Sequence, residues 1–320
     1  MKKVLLALAV LMTALVGCNK NTPKEKESAK DFVLNVSADA EPLRMAMNWD
    51  ETARELQYKW RAGDEIFVYY VSTDDKPVVK ELPTVTLAAD NVAADAKTCS
   101  FSVTVPASVH NGKSFKLYLS LAPLEIAKEV FFGSTYNLNM YFTKESSKHD
   151  NIYLAPIEDV RRVGRYGSLS IDPAAPQAKY YVKFDQYGVF VVMNARSEVG
   201  DVSMDYVKIE GGSSLWKNTQ LVKVVSNVNK EGSELVDRSS EDNPNSKVPV
   251  TIGATSKKLA GWFFPNGAIT NVSVAVQNHA LGASEQPRAS KTVTAFTPEA
   301  GKFYKLPNLV VTSASTVAFE

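Results

Sequence analysis

The sequence predicts an all-β protein built from sandwiches, and three observations support that prediction. Residues 99–105 and 114–121 alternate apolar and polar side chains without interruption, as in a strand with one buried face. Between them, residues 110–113 (His-Asn-Gly-Lys) favour a turn. No window carries a long apolar stripe of helical period. Many short strands at fairly regular spacing are typical of β-sandwiches.

The other elements follow from shorter segments, most of them with the same period of two. The remaining predicted strands lie at 32–37, 66–71, 85–88, 136–142, 180–184, 189–194, 204–210, 221–226, 248–252, 259–264, 269–277, 292–296 and 303–306. Residues 51–58 and 123–130 are predicted as short helices. Strands therefore dominate both halves of the chain.

The first residues have the pattern of an export signal. Lys2 and Lys3 precede an apolar run over residues 4–16, which is shorter than the roughly 20 residues of a transmembrane helix. The run ends in Leu-Val-Gly-Cys at 15–18, which resembles the lipobox of bacterial lipoproteins. We expect a signal peptide over 1–17, a lipid anchor on Cys18 and a location at the outer membrane or cell surface. The alternative is an ordinary signal peptide that contains a cysteine by chance.

The charge balance after this cleavage excludes one class of partner. Loss of Lys2 and Lys3 leaves 34 of the 36 basic residues against 35 acidic ones. A net charge of −1 gives no reason to expect a nucleic-acid partner. Cys99 is the only other cysteine, so a lipidated Cys18 leaves no intrachain disulfide, and stability must come from packing.

Two segments without an apolar pattern divide the chain. Residues 18–30 contain no large apolar side chain after Cys18, which is typical of a flexible tether. Residues 171–177 hold two prolines among small residues, which is typical of a surface connector, and the basic, glycine-bearing segment 161–167 is expected to be exposed beside it. We expect an N-terminal sandwich domain at 31–168 and a C-terminal one at 178–320.

Few residues are arranged as a catalytic or metal site. His110, His149 and His279 lack metal-ligand spacing and are expected to be solvated in loops. Cys99 shares an alternating face with apolar residues and is expected to be buried and inert. No nucleophile elbow, P-loop or calcium-loop spacing occurs. We therefore expect no cofactor, no metal ion and no enzymatic activity.

The four tryptophans divide into two groups. Trp60 and Trp262 adjoin predicted strands and are expected to fill the core. Trp216 follows the glycine turn at 211–212 and is expected to be the most exposed. An exposed aromatic ring can stack on a sugar. The rival hypothesis is therefore a surface lipoprotein of tandem sandwiches that binds glycans, and a β-sandwich hydrolase is a third, weaker one.

Four segments together resemble stretches of fimbrillin-like proteins. They are 60–69 (Trp-Arg-Ala-Gly-Asp-Glu-Ile-Phe-Val-Tyr), 150–155 (Asp-Asn-Ile-Tyr-Leu-Ala), 181–192 with its strand pair, and 298–306 (Pro-Glu-Ala-Gly-Lys-Phe-Tyr-Lys-Leu). Leu154 is an extra residue, and Asp185 stands where those proteins have histidine. The resemblance spans almost the whole chain after Cys18. It implies two tandem transthyretin-like sandwiches and a role as stalk, tip or anchor of an adhesive surface pilus.

The resemblance also implies an assembly mechanism with other pilus subunits as partners, and a host surface ligand as a further one. Such subunits lose an N-terminal strand to an arginine-specific protease and receive a strand from another chain. Here the displaced strand would carry Phe32, Leu34 and Val36, and the cut would follow Arg44, which lies in a proline-bearing loop. Arg54 and Arg61 are rival sites.

The C-terminal stretch 309–319 is the candidate donor strand, with Val311, Val317 and Phe319 as its apolar positions. It lies at a free terminus and is apolar at both ends. The alternative is that both terminal segments are ordinary edge strands of an uncleaved protein.

Overall fold

The computed structural model describes most of the chain after the tether. The described residues are 30–39, 46–50, 55–57, 59–129, 135–143, 151–160, 163–210, 216–217, 219–234, 248–277, 287–313 and 315–320. The signal peptide and most of the tether therefore lie outside them. Within the described residues, no helix is both long and apolar enough to cross a membrane.

Strands make up nearly all of the regular structure, which confirms the predicted all-β class. The first half contains β1 (Phe32–Asp39), β2 (Ala46–Asp50), β3 (Glu55–Gln57), β4 (Glu65–Ser72), β5 (Val79–Thr86), β6 (Thr98–Val105), β7 (Phe115–Ser120), β8 (Leu124–Glu129), β9 (Thr135–Thr143), β10 (Asn151–Pro156) and β11 (Arg165–Ile171). A 3-10 turn (Ala89–Asn91) precedes β6, and one helical turn, α1 (Ala107–His110), connects β6 to β7.

The second half contains no helix among its described residues. Its strands are β12 (Tyr180–Val182), β13 (Asp185–Gln186), β14 (Val189–Ser197), β15 (Val202–Met204), β16 (Tyr206–Glu210), β17 (Trp216–Lys217), β18 (Thr219–Asn229), β19 (Val250–Ile252), β20 (Lys257–Pro265), β21 (Ile269–Gln277), β22 (Arg288–Phe296), β23 (Phe303–Lys305), β24 (Leu309–Ser313) and β25 (Thr316–Phe319).

Both helix predictions were wrong. Residues 124–129 form β8, which pairs with β9 from Leu124–Phe142 to Glu129–Asn137. Leu-Glu-Ile-Ala-Lys-Glu is compatible with a helix on propensity alone, but Leu124 is buried in the core, and cross-strand pairing decides the outcome. Residues 55–57 of the other segment form β3.

The segment 161–167 was expected to be exposed, and the structure contradicts this for its described part. Arg165 begins β11 and is only 1% exposed, and Val163 is completely buried. The cause is strand pairing on both sides, since β11 lies between β7 and β13. Basic residues and glycines therefore mark a close-packed strand here.

Two sheets enclose the first hydrophobic core. One has the strand order β12-β1-β6, and we call it the β1 sheet; the other has the order β13-β11-β7-β4-β5. Their facing residues share one apolar cluster, for example Leu34 of β1 with Phe115 and Leu117 of β7. This is the packing of a β-sandwich.

A larger, ten-stranded sheet carries the second core. Its order is β22-β21-β16-β10-β20-β14-β24-β25, with β17 beside β20 and β23 beside β14. Strand β14 serves both cores by alternation: Phe190 and Val192 join the first cluster, whereas Val189, Val191 and Met193 join the second. A strand buried on both faces reads as a continuous apolar run, as residues 189–193 do.

Strand pairing crosses the boundary expected between 168 and 178. Strand β10 pairs with β16 and β20, and β12 pairs with β1. The division of the chain into domains stays a prediction. What the structure adds is that the first core contains strands from both sides of that boundary.

Candidate functional site

The predicted displaced strand, β1, is the middle strand of its sheet and not an edge strand. It pairs antiparallel with β6 along its whole length, from Phe32–Val105 to Asp39–Thr98. On its other side it pairs parallel with β12, from Val36–Tyr180 to Ala38–Val182. Its backbone therefore contributes to two ladders, and removing it would leave unpaired groups on both neighbours.

The residues predicted to share one face of β1 do so. Leu34 and Val36 are 0% and 1% exposed, and Ala38 continues the same face at 0%, while Phe32 is half-buried at the start. Val33, on the opposite face, is 58% exposed. Alternation sends every second side chain into the core. We call the space that these four core-facing side chains occupy the β1 seat.

The far end of the seat is narrow. Ala38 is the register partner of Cys99 on β6, and both are buried. The hydroxyl of the neighbouring Ser37 donates to the Cys99 carbonyl over 3.2 Å. Burial raises the pKa of the Cys99 thiol to about 12. The prediction of a buried, inert thiol is confirmed.

The entrance of the seat is formed by α1 and the start of β7. The ring of Phe32 contacts His110 and Phe115 edge-on, with centroids 6.1 and 6.0 Å apart. His110 is only 3% exposed, so the prediction of a solvated loop residue was wrong. The reason is that Asn111 ends α1 in the left-handed conformation, at φ 47°, and the histidine forms hydrogen bonds to backbone on both ring nitrogens.

The β12 wall of the seat depends on a glycine beneath it. A Cβ atom placed on Gly167 of β11 would lie 2.5 Å from the Lys183 carbonyl oxygen and 2.7 Å from Cγ2 of Val182. Real Cβ atoms do not approach backbone so closely. Gly167 therefore permits the close packing of β11 against the strand that borders β1.

The candidate donor residues form a terminal hairpin, β24–β25, in the other core. Val311 and Val317 are register partners and are buried, whereas Phe319 is half-buried opposite Leu309. Strand β24 pairs parallel with β14, and β25 ends the described path of the sheet. Within one chain, the hairpin and the β1 seat belong to different apolar clusters.

An ionic contact holds the end of this hairpin. The Arg196 guanidinium pairs with the Glu320 carboxylate and, at 3.1 Å, with Glu198. Glu320 also donates its backbone N–H to the Asn308 carbonyl over 3.0 Å. These groups lie at the surface, where an ion pair contributes about 0–1 kcal/mol.

Other predicted residues have clear outcomes. Trp60 and Trp262 are each 1% exposed, so their prediction as core residues is confirmed. Cys18, Arg44, Arg54, His149 and His279 lie outside the described residues, and the same holds for the Trp216 side chain. Sequence reasoning missed the roles of Ala38, Gly167 and His110, because their neighbours come from distant parts of the chain.

Searched over the described residues, no group of three or more His, Cys, Asp or Glu side chains could hold a metal ion. The expectations of no cofactor and no enzymatic activity stay predictions. What the geometry offers is an apolar seat with hydrogen-bonding strands on both sides, which is suited to an extended peptide.

No protein-family model matches the sequence, and no curated protein matches it. Among solved structures, the chain is similar to a candidate cell adhesion protein from Bacteroides uniformis, with a TM-score of 0.39 and 11% identity over 90% of this chain and 96% of that one. A candidate polysaccharide-binding protein from Bacteroides thetaiotaomicron has a TM-score of 0.31 and 8% identity over 88% and 93%. A fimbrial assembly protein from Parabacteroides distasonis has a TM-score of 0.32 and 7% identity over 90% and 93%. At these values the likeness assigns neither a family nor a function to the chain.

Proposed function

We propose that the chain is a structural and adhesive component of a bacterial surface pilus, exported as a lipoprotein on Cys18. Assembly would proceed by proteolytic removal of β1 and insertion of a strand from another subunit. The observation that carries this proposal is the position of β1: an N-terminal strand, paired on both sides, with three core-facing side chains completely or almost completely buried.

Loss of β1 would create a strong binding site for an extended segment. The β6 and β12 ladders would be left with unpaired N–H and C=O groups, and the seats of Leu34, Val36 and Ala38 would be open. Burying a Leu or Val side chain stabilises by about 1.5–3 kcal/mol, and backbone pairing adds direction and register. A donor strand must therefore carry apolar residues at alternate positions, with a small one next to Cys99.

Arg44 is the proposed cleavage position, since it follows β1 by five residues in the chain. The rival Arg61 is engaged in the fold: its backbone N–H donates to the Asp64 carboxylate over 2.9 Å, and its guanidinium donates to the Glu158 carbonyl. A protease needs an extended, accessible segment, and these contacts protect Arg61. Arg44 is therefore favoured over Arg61.

The proposed donor is the C-terminal segment 309–319. Alternate residues from Leu309 to Ser315 read Leu, Val, Ser, Ser, which follows the decrease in size from Phe32 to Ala38 on β1. Donation requires the hairpin to leave its own core, where Leu309 and Val311 are completely buried. A terminal hairpin can separate without displacing a strand beyond it, but the exchange has to compensate for the lost packing. A contact of this type is head-to-tail and builds an open filament.

The test uses Cys18→Ser protein, which is expected to be soluble, and an arginine-specific protease. Cleavage after Arg44 followed by multimers that resist denaturation in a non-boiled gel supports the proposal. The matched control is Arg44→Lys, which keeps the charge and removes the cleavage site. Trimmed protein that stays monomeric at high concentration, or Arg44→Lys protein that assembles equally well, contradicts the proposal.

A synthetic peptide of residues 309–320 tests the donor separately, because deleting this segment would also remove buried residues of the second core. The peptide should bind trimmed protein and block multimers. A variant peptide with Val311→Asp should fail, whereas Thr312→Asp, which changes the alternate face, should still bind. Equal binding of the two variants contradicts the donor assignment.

One observation favours the glycan-binding alternative. Tyr181 on β12 is 69% exposed, with the Lys179 ammonium 5.6 Å from the centre of its ring. An exposed aromatic ring next to a hydrogen-bond donor is suited to stacking on a sugar. Glycan-array binding that is lost in Tyr181→Ala but kept in Val33→Ala would support this second function.

A further inference from the structure

The entrance of the β1 seat contains a set of contacts that the proposed strand exchange does not explain. Nε2 of His110 lies 3.0 Å from the Lys30 carbonyl oxygen, immediately before β1. The Asp31 carboxylate accepts the Ala107 backbone N–H over 2.9 Å. Together with the Phe32 ring contact, these bonds join the first three residues of the strand region to α1.

The protonation state of His110 follows from its partners. The Gly112 backbone N–H donates to Nδ1 over 3.0 Å, so Nδ1 must be an unprotonated acceptor. The single proton of the neutral ring is then on Nε2, and it is donated to the Lys30 carbonyl. The bond that holds the start of β1 therefore depends on the neutral ring for its geometry.

A second proton would disrupt this arrangement. It would place an N–H on Nδ1 facing the Gly112 N–H, so that two donors meet where one bond existed. The charged ring would also be buried, at 3% exposure, between Phe32 and Phe115, and an uncompensated buried charge is costly. Histidine changes charge between about pH 5 and 8.

The other ionisable groups on the described elements around His110 are accounted for. Tyr70 of β4 donates its hydroxyl to the Val109 carbonyl over 3.2 Å, and burial raises its pKa to about 12, so it stays neutral. Lys113 pairs with Asp74 at 2.7 Å, and this hydrogen bond lowers the pKa of Asp74, which stays ionised. Asp31 is bonded to α1, and the side chains of Lys30 and Lys116 are exposed.

We propose that His110 is a positioning residue that latches the start of β1, and that its protonation opens this latch. The biological consequence, faster strand release in acid, rests on the proposed function. The latch itself does not, since opening of β1 is a property of the uncut chain. Acid would thus favour the exchange-competent state.

Hydrogen exchange of the β1 backbone amides in uncut Cys18→Ser protein tests the latch, with rates corrected for intrinsic pH dependence. Opening should increase about tenfold or more between about pH 7.5 and about pH 5. His110→Gln, which can still donate to the Lys30 carbonyl but does not titrate, should show slow opening at both values. His110→Leu should open fast at both, and Asp31→Asn should keep the pH dependence.

Two outcomes would overturn the proposal. One is a pH dependence in His110→Gln as large as that of the wild type. The other is wild-type opening that does not change with pH. The amides of β14, in the other core, report global unfolding and separate a latch effect from misfolding of a variant. Failure of trimmed protein to multimerise would contradict the proposed function and leave this measurement unaffected.

Discussion

Ala38 and Cys99 face each other at the closed end of the β1 seat, each at most 1% exposed. The thiol is therefore covered by the strand that is proposed to leave. Because burial holds the pKa of Cys99 at about 12, the thiol is neutral at neutral pH as well as inaccessible.

We predict that Cys99 reports the occupancy of the seat. In Cys18→Ser protein it is the only thiol, and it should not react with iodoacetamide in the uncut chain at pH 8. Removal of β1 should make it reactive, and the peptide 30–39 should protect it again. The readout is mass spectrometry after timed labelling, and equal labelling rates before and after removal would contradict the prediction.

The same thiol predicts a loss of stability in alkali. The unfolded chain loses this proton near the ordinary pKa of 9.0, whereas the folded chain keeps it up to about 12. The contribution of Cys99 is therefore complete below about pH 9 and is lost as the pH rises towards 12. Cys99→Ala should flatten that part of the stability curve, as measured by urea unfolding, while the tyrosines continue to contribute.

Gly167→Ala should destabilise the protein by more than the usual cost of a surface change. The added methyl would overlap the Lys183 carbonyl and the Val182 side chain, and overpacking of this kind costs about 1–3 kcal/mol. Ser168→Ala, at the exposed neighbouring position, is the control and should be nearly neutral. Urea midpoints measure both variants. Hydrogen exchange should also show faster opening of β1 in Gly167→Ala, since β12 borders it.

Trp60→Ala should cost about 3–5 kcal/mol, because the ring is buried and contacts Phe184 edge-on at 6.0 Å. The measurement is the free energy of unfolding in urea. Unchanged stability together with the loss of sugar binding would assign Trp60 to a glycan site instead.

Cys18→Ser should move the protein from the membrane fraction to the soluble fraction. The physical reason is that the acyl chains supply the hydrophobic anchoring energy, at about 0.8 kcal/mol for each buried CH₂ group. Immunoblots of fractionated cells measure this. Membrane retention of the Cys18→Ser variant would contradict the lipoprotein assignment.

The period of two could be read from the sequence wherever one face of a strand is buried, as in β1, β6 and β7. It failed at β8, where Leu124–Glu129 satisfies both a short helix and a strand, and the choice depends on β9. Arg165 and His110 were misjudged for one reason: both are polar residues buried by backbone from distant segments, and no local pattern encodes that. The parallel pairing of β1 with β12 was also out of reach.

That parallel pairing has a consequence for the order of folding. Val36 pairs with Phe101 and also with Tyr180, which lies 144 residues further along the chain. Contacts at such separation form slowly, because the intervening chain must be ordered first. In a polypeptide that emerges from a translocation channel N-terminus first, β1 would have to wait for almost half of the remaining chain before its second neighbour arrives. The earliest strand would then be the last one locked, and during that interval a chaperone or a second subunit could compete for the same place.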